Sequence, residues 1–594
     1  MTTSVVDTVN VVDGMVSNIQ SSLKYAVYSS AQTITPYSYK AISASPNGIN
    51  FNVQLPSEQT LLYPRIMIRS KPILTMTVKN DSGAPLTLAQ ILGWGGQGTP
   101  PTNPRTALGP FPLHQLFSTI QVTLNNNTFD CNINQILHAF LRLEDYSKSQ
   151  LFNSTTPTYP DYFANYNDCV GLVADPLASF GNSMDINYAG RGSYPVSFTP
   201  ALSTSVANGG TQAVDIEFEI SEALMCSPFC WNEDMSHRSW MYGLQSFNIQ
   251  INCNSVVNRA IRSTLPASSG SNAGYLSLVI KNLDETHLDL VYATPKINQL
   301  LPATNCHPYC QFLDNHMTTF TLANNNVAQQ LQSQAFSLNM IPDGVFICVK
   351  KKQGSQTIND PDFYLPIEGV NITFNNVTGI LSTARKEELF ARTVKNGVHQ
   401  SYLQFRESMN VFSSGASQSV RTVGSLLYLK FGFDINLPEV YSAPGAIGQY
   451  MMQYTLTVKN NTGGVINSGD YDLETIFVNS GNAVLQRGTC STYIGLLTKE
   501  IILNTLQQPQ YSRSDVQRLV GGGFFDTLKN IASKVVSVAK PLVKAAEMLP
   551  LPGPLKKAAE IANVGLDVAS KAGLGEGGAI TGGMGQRRRD PRLM

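Results

Sequence analysis

Two cysteine pairs give this sequence its clearest metal-ligand spacing. Three residues separate Cys226 from Cys230, and three separate Cys306 from Cys310. Four thiolates from such pairs can hold zinc in a tetrahedral site. Each pair also encloses a proline and an aromatic residue, which is equally typical of a buried turn, and isolated buried cysteines usually pack as small hydrophobic side chains. We therefore predict no metal site and keep zinc on these four cysteines as the alternative.

The sequence fits known enzyme motifs only in the spacing of its glycines and not in the flanking residues that such motifs require. Residues 93–98 fit the G-x-G-x-x-G pattern of dinucleotide sites, but the Pro-rich segment 99–104 cannot begin the helix that would hold the pyrophosphate. Residues 573–578 fit it again within a Gly-rich stretch. The sequence contains no P-loop, H-E-x-x-H or G-x-S-x-G motif, and its seven histidines show no paired spacing. We predict that the protein is not an enzyme and has neither catalytic residues nor a cofactor.

Paired glycines near the C-terminus suggest a different kind of chemistry, which is proteolytic cleavage. Two segments, 519–523 and 580–584, fit the pattern [Met/Ile/Leu]-x-Gly-Gly-x. Adjacent glycines let an extended backbone enter a narrow protease cleft in which any Cβ would clash. Flexible linkers are the alternative interpretation. The predicted cleavage residues are Leu519, Gly521, Gly522 and Gly523 at the first site and Ile580, Gly582, Gly583 and Met584 at the second.

The segment between these two sites has the spacing of an amphipathic helix. Pro541 should kink the helix or split it. A basic helix with an apolar stripe can dock in a groove on protein or lie in a membrane interface, and we favour docking, because most amphipathic helices bury their stripe against protein. The apolar stripe consists of Phe524, Leu528, Ile531, Val535 and Leu542.

Composition separates this tail from the rest of the chain. The 594 residues include only 14% charged residues, with 41 basic and 41 acidic side chains. The segment from Gly523 to the end carries 11 basic and 6 acidic residues, a net charge of +5, which leaves −5 for the remainder. These values exclude a disordered chain and a globally basic nucleic-acid binder. We also find no membrane span and no secretory signal, and we expect the nine cysteines to be reduced.

The residues before the tail have a pattern that predicts short β-strands. Runs rich in β-branched and aromatic residues alternate with clusters of Asn, Asp, Gly and Pro, and the absence of intervening helices predicts antiparallel rather than parallel sheets. Two helices are expected, at 133–146 and 385–395. The predicted strands are 49–55, 73–79, 120–124, 213–220, 247–253, 276–281, 344–350, 370–374, 427–435 and 452–459.

Three longer phrases resemble the major capsid proteins of virophages, particularly the mavirus type, with more distant similarity to adenovirus hexon and Polinton-like elements. They are Leu108–Thr128, Gln334–Ile347 and Ile372–Ala384. The resemblance covers residues 50–505. It implies an all-β fold of two consecutive antiparallel eight-stranded jelly-roll sandwiches, to which we add the C-terminal amphipathic helical tail. We place an N-terminal arm at 1–49, the first jelly roll at 50–265, the second at 266–510 and the tail at 511–594.

The same resemblance implies a function and a set of partners. It implies a homotrimer that forms pseudo-hexagonal capsomers in the icosahedral shell of a double-stranded DNA virus, located in the virion after assembly in a viral factory of the host cytoplasm. Expected partners are further copies, penton and minor capsid proteins, a viral cysteine maturation protease, and genome DNA or membrane through the tail. Two alternatives stay open: a β-sandwich carbohydrate-binding protein or glycosidase, and a membrane-active toxin.

Overall fold

Short antiparallel strands make up most of the residues that the computed structural model describes. Nothing is described of the chain beyond residue 502, so the predicted cleavage sites and apolar stripe lie outside these ranges. The described residues are 33–93, 106–143, 151–153, 158, 160–164, 196–230, 240–265, 272–295, 301, 304–321, 327–360, 362–413, 416–437, 439, 442–459, 470–486, 488–495, 497–498 and 502.

The first eighteen strands, which we call the first half, form three main sheets and two small pairs. The sheet orders are β1-β18-β5-β14 with β4 on β18, β10-β9-β15-β3-β2, and β11-β13-β6-β17, and the small pairs are β12-β7 and β16-β8. The strands are β1 (Thr33–Lys40), β2 (Ser43–Ser45), β3 (Gly48–Gln54), β4 (Leu61–Leu62), β5 (Met67–Ser70), β6 (Ile73–Lys79), β7 (Leu86–Thr87), β8 (Thr106–Leu108), β9 (Phe117–Leu124), β10 (Asn127–Cys131), β11 (Ser197–Thr199), β12 (Ser205–Val206), β13 (Thr211–Glu217), β14 (Ile220–Ala223), β15 (Ser246–Cys253), β16 (Ile261–Ser263), β17 (Gly274–Asn282) and β18 (His287–Thr294).

The remaining strands, which we call the second half, form two main sheets and one hairpin. Their orders are β19-β29-β22-β27 with β30 on β29, β20-β28-β23-β24 with β21 on β28, and β25-β26. The strands are β19 (Asn305–Thr321), β20 (Ala328–Gln332), β21 (Phe336–Met340), β22 (Gly344–Lys351), β23 (Ile367–Phe374), β24 (Val377–Ile380), β25 (Ser408–Ser413), β26 (Ala416–Arg421), β27 (Leu427–Lys430), β28 (Ile447–Lys459), β29 (Asp470–Gln486) and β30 (Thr489–Ile494).

The helices of the described ranges are few and short. Both predicted helices are present, although the first ends at Phe140 and continues only as turns to residue 143. No helix in the described part of the chain has the length and apolar character needed to cross a membrane. The helices are α1 (Leu88–Leu92), α2 (Pro112–Gln115), α3 (Ile133–Phe140), α4 (Lys386–Lys395) and α5 (Tyr402–Phe405).

Alternation along the strands explains how the sheets acquire their buried faces. In β6 every second residue is buried, so that Leu74, Met76 and Val78 face the core while the threonines and Lys79 remain partly exposed. β15 repeats this pattern with Phe247, Ile249 and Ile251. Because successive side chains of a strand point to opposite faces, this period fixes the register of each strand.

The described structure moves the predicted boundaries between domains. β17 pairs with β6, and β18 pairs with β5, so residues 274–294 belong to the first half and not to the second jelly roll predicted to begin at 266. β1 pairs along its whole length with β18, so part of the predicted N-terminal arm belongs to a sheet of the first half. The predicted boundary at 265/266 is therefore wrong, because the strands on both sides of it pair with strands of the first half.

Two predicted strands end early: 213–220 stops at Glu217, where β13 ends, and 427–435 stops at Lys430. The run 427–435 alternates as a strand should, but β27 ends at Lys430. Gly432 has φ +82°, and the carboxylate of Asp434 accepts a hydrogen bond from the backbone N–H of Lys430 at 3.0 Å. A glycine in the left-handed region and a local side-chain bond to the backbone favour a turn over continued pairing.

Candidate functional site: the buried junction between the two halves

The two halves meet across an apolar contact built on helix α3. Phe140 at the end of α3 lies with its ring centroid 4.3 Å from that of Phe312 on β19 and 5.8 Å from that of Phe346 on β22. Phe129 on β10 makes an edge contact with Tyr309 at 5.1 Å. The apolar spacing that predicted α3 therefore serves the contact with the second half as well as the core of the first.

A hydrogen-bonded network lies beside these aromatic rings. His138, near the end of α3, has its Nδ1 2.8 Å from the hydroxyl of Tyr364 and its Nε2 2.8 Å from Oε2 of Glu474. The other carboxylate oxygen of Glu474 lies 2.7 Å from Nζ of Lys350. The thiol of Cys348 lies 3.8 Å from Oε2 of Glu474. All five side chains are almost completely buried.

Burial and charge set the protonation states of this network. Burial opposes ionisation of Glu474, but the positive charge of Lys350 and the hydrogen bond from His138 outweigh it and lower the pKa of Glu474 to about 2. Burial, followed by the charge of Lys350, lowers the pKa of His138 below its usual value. Burial and the adjacent Glu474 raise the pKa of Cys348. The network thus contains an ionised pair, a neutral imidazole and a protonated thiol.

A second group of charges crosses the junction nearby. Arg259 pairs with Asp362, and Arg262 Nε lies 2.9 Å from Oδ1 of Asp161. The backbone N–H of Asp362 donates to Oδ2 of Asp161 at 3.0 Å, which links the two ion pairs. The guanidinium of Arg142 lies 5.6 Å from the centre of the ring of Tyr364 and donates to the carbonyl of Asp161 at 2.8 Å. Buried charges that are paired and hydrogen-bonded in this way hold a defined geometry, since separating them would leave unpaired charges.

Direct bonds to backbone atoms complete the junction. Nδ2 of Asn359 donates to the carbonyls of Ser263 and Leu265, each at 2.8 Å. The backbone N–H of Ser263 donates to the carbonyl of Ile358 at 2.9 Å. Main-chain atoms of both halves are therefore fixed to each other, and the relative position of the halves does not depend on side-chain packing alone.

The composition of the network includes possible metal ligands. His138, Cys348 and Glu474 are the one group of three such side chains within metal-binding distance in the described part of the chain. Their chemistry does not favour zinc, because Lys350 already supplies a positive charge to Glu474 and the thiol of Cys348 is held protonated. The arrangement is that of a hydrogen-bonded structural network.

The predicted alternative zinc site does not form among the described residues. Cys226 and Cys230 are buried and Cys306 is exposed, and these thiols do not belong to any group at metal-binding distance in the ranges described. Cys253, which belongs to neither pair, also stays in its thiol form, because burial raises its pKa to about 12. Of the eight cysteines within the described ranges, Cys131, Cys226, Cys230, Cys348 and Cys490 are buried.

The junction was not anticipated from the sequence, although one signal pointed to it. Glu474 and Lys350 lie within β29 and β22, among neighbours that are mostly apolar and buried. A charged residue within such a run requires a partner, so the two strands together predict a buried ion pair. The partner contributed by α3, His138, is 336 residues away from Glu474, and no local pattern links them.

Comparisons with known proteins agree with this two-part architecture. Residues 4–292 match the protein-family model described as the Sputnik virophage major capsid protein 1st domain, and residues 313–481 match that described as the major capsid protein V20 C-terminal domain. The putative capsid protein V20 of Sputnik virophage is 26% identical over 527 residues, which are 87% of this chain and 84% of that protein.

Solved structures give the same result. A chain of the 3.5 Å cryo-EM structure of the Sputnik virophage matches with a TM-score of 0.70 and 25% identity, over 84% of this chain and 96% of that one. The crystal structure of the mavirus major capsid protein matches with a TM-score of 0.61 and 15% identity over the same shares, which supports the fold. Since the two family models, one for each half, together match roughly three quarters of the sequence, this chain belongs to the virophage major capsid proteins, which are structural proteins of the virion and not enzymes.

Proposed function

We propose that this protein forms homotrimers that act as pseudo-hexagonal capsomers in the icosahedral shell of a double-stranded DNA virus, and that each half is an eight-stranded jelly roll. The observation that carries the proposal is the buried junction, which joins two consecutive antiparallel β-halves through the Arg259–Asp362 ion pair, the His138–Glu474 contact and bonds to backbone atoms. Three copies of such a rigid pair present six similar β-units around a three-fold axis. In a closed ring of this kind, each copy contacts the next through heterologous contacts, that is, through two different surfaces. A rotation of one third of a turn between copies closes the ring.

The outer surface is suited to contacts between copies. Charged residues make up only 14% of the chain, so few side chains would have to be desolvated as ions when surfaces meet. Large apolar side chains are also exposed in the described ranges, and single ones can serve as anchors when a second copy covers them. The most exposed are Phe433 at 75%, Ile42 at 69%, Ile34 at 62% and Met451 at 60%.

The oligomeric state tests this proposal. Purified full-length protein should elute as a trimer in size-exclusion chromatography with light scattering, and negative-stain microscopy should show particles with three-fold symmetry. Protein that stays monomeric at high micromolar concentration, while its circular dichroism shows a folded β-protein, contradicts the proposal. Such a monomer would favour the carbohydrate-binding alternative.

We extend the proposal to the tail and to the partners. The tail, with its net charge of +5, assists assembly on the inner face of the shell and is removed by a viral cysteine protease between Gly522 and Gly523. The charge of −5 on the rest of the chain gives it a complementary partner before cleavage. Further proposed partners are penton and minor capsid proteins, and DNA or membrane through the tail. The mature protein resides in the virion after assembly in a viral factory of the host cytoplasm.

A further inference from the structure

The imidazole of His138 has both nitrogens committed across the junction. Glu474 is ionised, and a carboxylate can only accept hydrogen bonds, so Nε2 of His138 carries the proton and donates to Oε2 at 2.8 Å. Nδ1 is then the acceptor of the hydroxyl of Tyr364 at 2.8 Å. The imidazole is therefore neutral, and Nδ1 is the position at which it would take up a further proton.

Positive charges already lie close to this imidazole. Lys350 shares the carboxylate of Glu474 with His138, and Arg142 lies over the ring of Tyr364. The negative charge of Asp362 is engaged by Arg259. A second proton on His138 would thus add a cation where the available carboxylates are already paired. The titratable and charged groups that surround His138 are Lys350 and Cys348 on β22, Glu474 on β29, Asp362 and Tyr364 on the segment before β23, and Arg142 after α3.

We propose that the junction is an acid-sensitive joint, in which uptake of one proton at Nδ1 of His138 places a buried cation beside Lys350 and Arg142, forces the hydroxyl of Tyr364 to accept rather than donate, and so weakens the attachment of α3 to the second half. The step transfers one proton from a hydronium ion of the solvent to the imidazole, which leaves a water molecule and breaks no bond of the protein. Because it takes place within one chain, the inference stands whether or not the proposed trimer forms.

The direction of the pH dependence follows from the environment of the imidazole. Burial first, and then the charge of Lys350, lowers the pKa of His138 in the folded protein. The unfolded or opened chain has a pKa of about 6.5 at this residue and binds a proton more readily. The contribution of His138 to stability is therefore complete above about pH 6.5 and decreases as the pH falls from there towards the lowered pKa of the folded state.

Hydrogen exchange of the full chain tests this inference directly. Exchange rates at pH 7 and pH 5, corrected for the intrinsic effect of pH, are compared by mass spectrometry. Peptides from α3, β22 and β29 should lose protection by up to about tenfold per pH unit below about pH 6.5, the limit for one linked proton. Peptides from β3 and β15, which pair within the first half, should keep theirs. Equal protection of the junction peptides at both pH values overturns the proposal.

Two histidine variants distinguish the effect of protonating His138 from a general sensitivity of the protein to acid. His138→Gln keeps a donor for Glu474 but cannot take up a proton, so the pH dependence at α3, β22 and β29 should disappear. His114→Gln is the matched control, because His114 is also buried and lies 2.6 Å from a carboxylate, Glu222, with both residues in the first half. This control should retain the wild-type loss of protection at the junction. An unchanged pH dependence in His138→Gln overturns the proposal, and if that variant does not fold, the wild-type comparison decides alone.

Discussion

His138 in the first half and Glu474 in the second half are joined by a 2.8 Å contact between Nε2 and Oε2, although 336 residues separate them in the sequence. Both side chains are buried, and Lys350 holds the other oxygen of the same carboxylate at 2.7 Å. The contact makes the relative position of the two halves a property of a few specific residues. In a protein whose proposed role is to present both halves to neighbouring copies, that position decides which surfaces are available.

Removal of the carboxylate at the centre of the junction should be strongly destabilising. Glu474→Gln leaves Lys350 buried without a counter-charge, and breaking one partner of a buried ion pair costs roughly 3–5 kcal/mol. Urea unfolding of the full chain measures the change in the free energy of unfolding. Lys350→Met combined with Glu474→Leu is the matched comparison, since it removes both charges and should cost less than Glu474→Gln alone. A Glu474→Gln variant as stable as the wild type would show that the pair does not hold the junction.

Substitution of one glycine should disturb the same region through the backbone. Gly424 has φ +89°, and a Cβ built there would lie 1.8 Å from the carbonyl oxygen of Tyr364. Gly424→Ala must shift this backbone, and we expect a loss of more than about 2 kcal/mol. Gly397→Ala is the control, because Gly397 has φ +107° but no atom within 4 Å of the added carbon. Thermal unfolding of both variants measures the difference, and equal losses would mean that backbone conformation alone, not the clash, sets the cost.

Cleavage of the tail is expected to depend on glycine at the proposed site. Gly522→Val adds a branched side chain that cannot enter a cleft shaped for bare backbone, so it should block the cut between Gly522 and Gly523. Intact-mass spectrometry of mature particles should show a chain that ends at Gly522 in the wild type and an uncut first site in the variant. Gly578→Val is the matched control, because Gly578 lies in a Gly-rich stretch of the same tail but outside both motifs, and it should leave the first cut intact. Full-length protein in mature wild-type particles would rule out the cut.

The proposed role of the tail is tested by removing it. A chain that ends at Gly522 should assemble closed shells less efficiently than the full chain if the tail guides assembly. Leu528→Asp combined with Val535→Asp should reproduce this loss, since docking of the stripe requires apolar contact. Assembly yield and shell size are measured by electron microscopy and light scattering. Equal yields and sizes for the truncated and full chains would exclude the role in assembly, and leakage of liposomes by a peptide of residues 523–583 would then favour a membrane-active tail.

Local pattern in the sequence was sufficient to predict individual strands and helices. The predicted strand 73–79 coincides with β6, and the predicted helix 385–395 differs from α4 by one residue. These elements carry their own signals, because alternation with period two and an apolar stripe with helical spacing arise from the geometry of a single element. The ends of elements were less certain, as the early end of β27 before Gly432 shows.

Sequence patterns were enough to predict that the chain is mostly antiparallel β-structure, that its tail differs in charge, and, through three phrases, which family it resembles. The pairing of β17 and β18 with the first half, and the meeting of His138 with Glu474 and Tyr364 at a buried junction, became visible in the folded chain alone. Strand pairing and buried charge pairing join residues that are far apart in the chain. Propensity and periodicity act over a few neighbouring residues and carry no information about such partners.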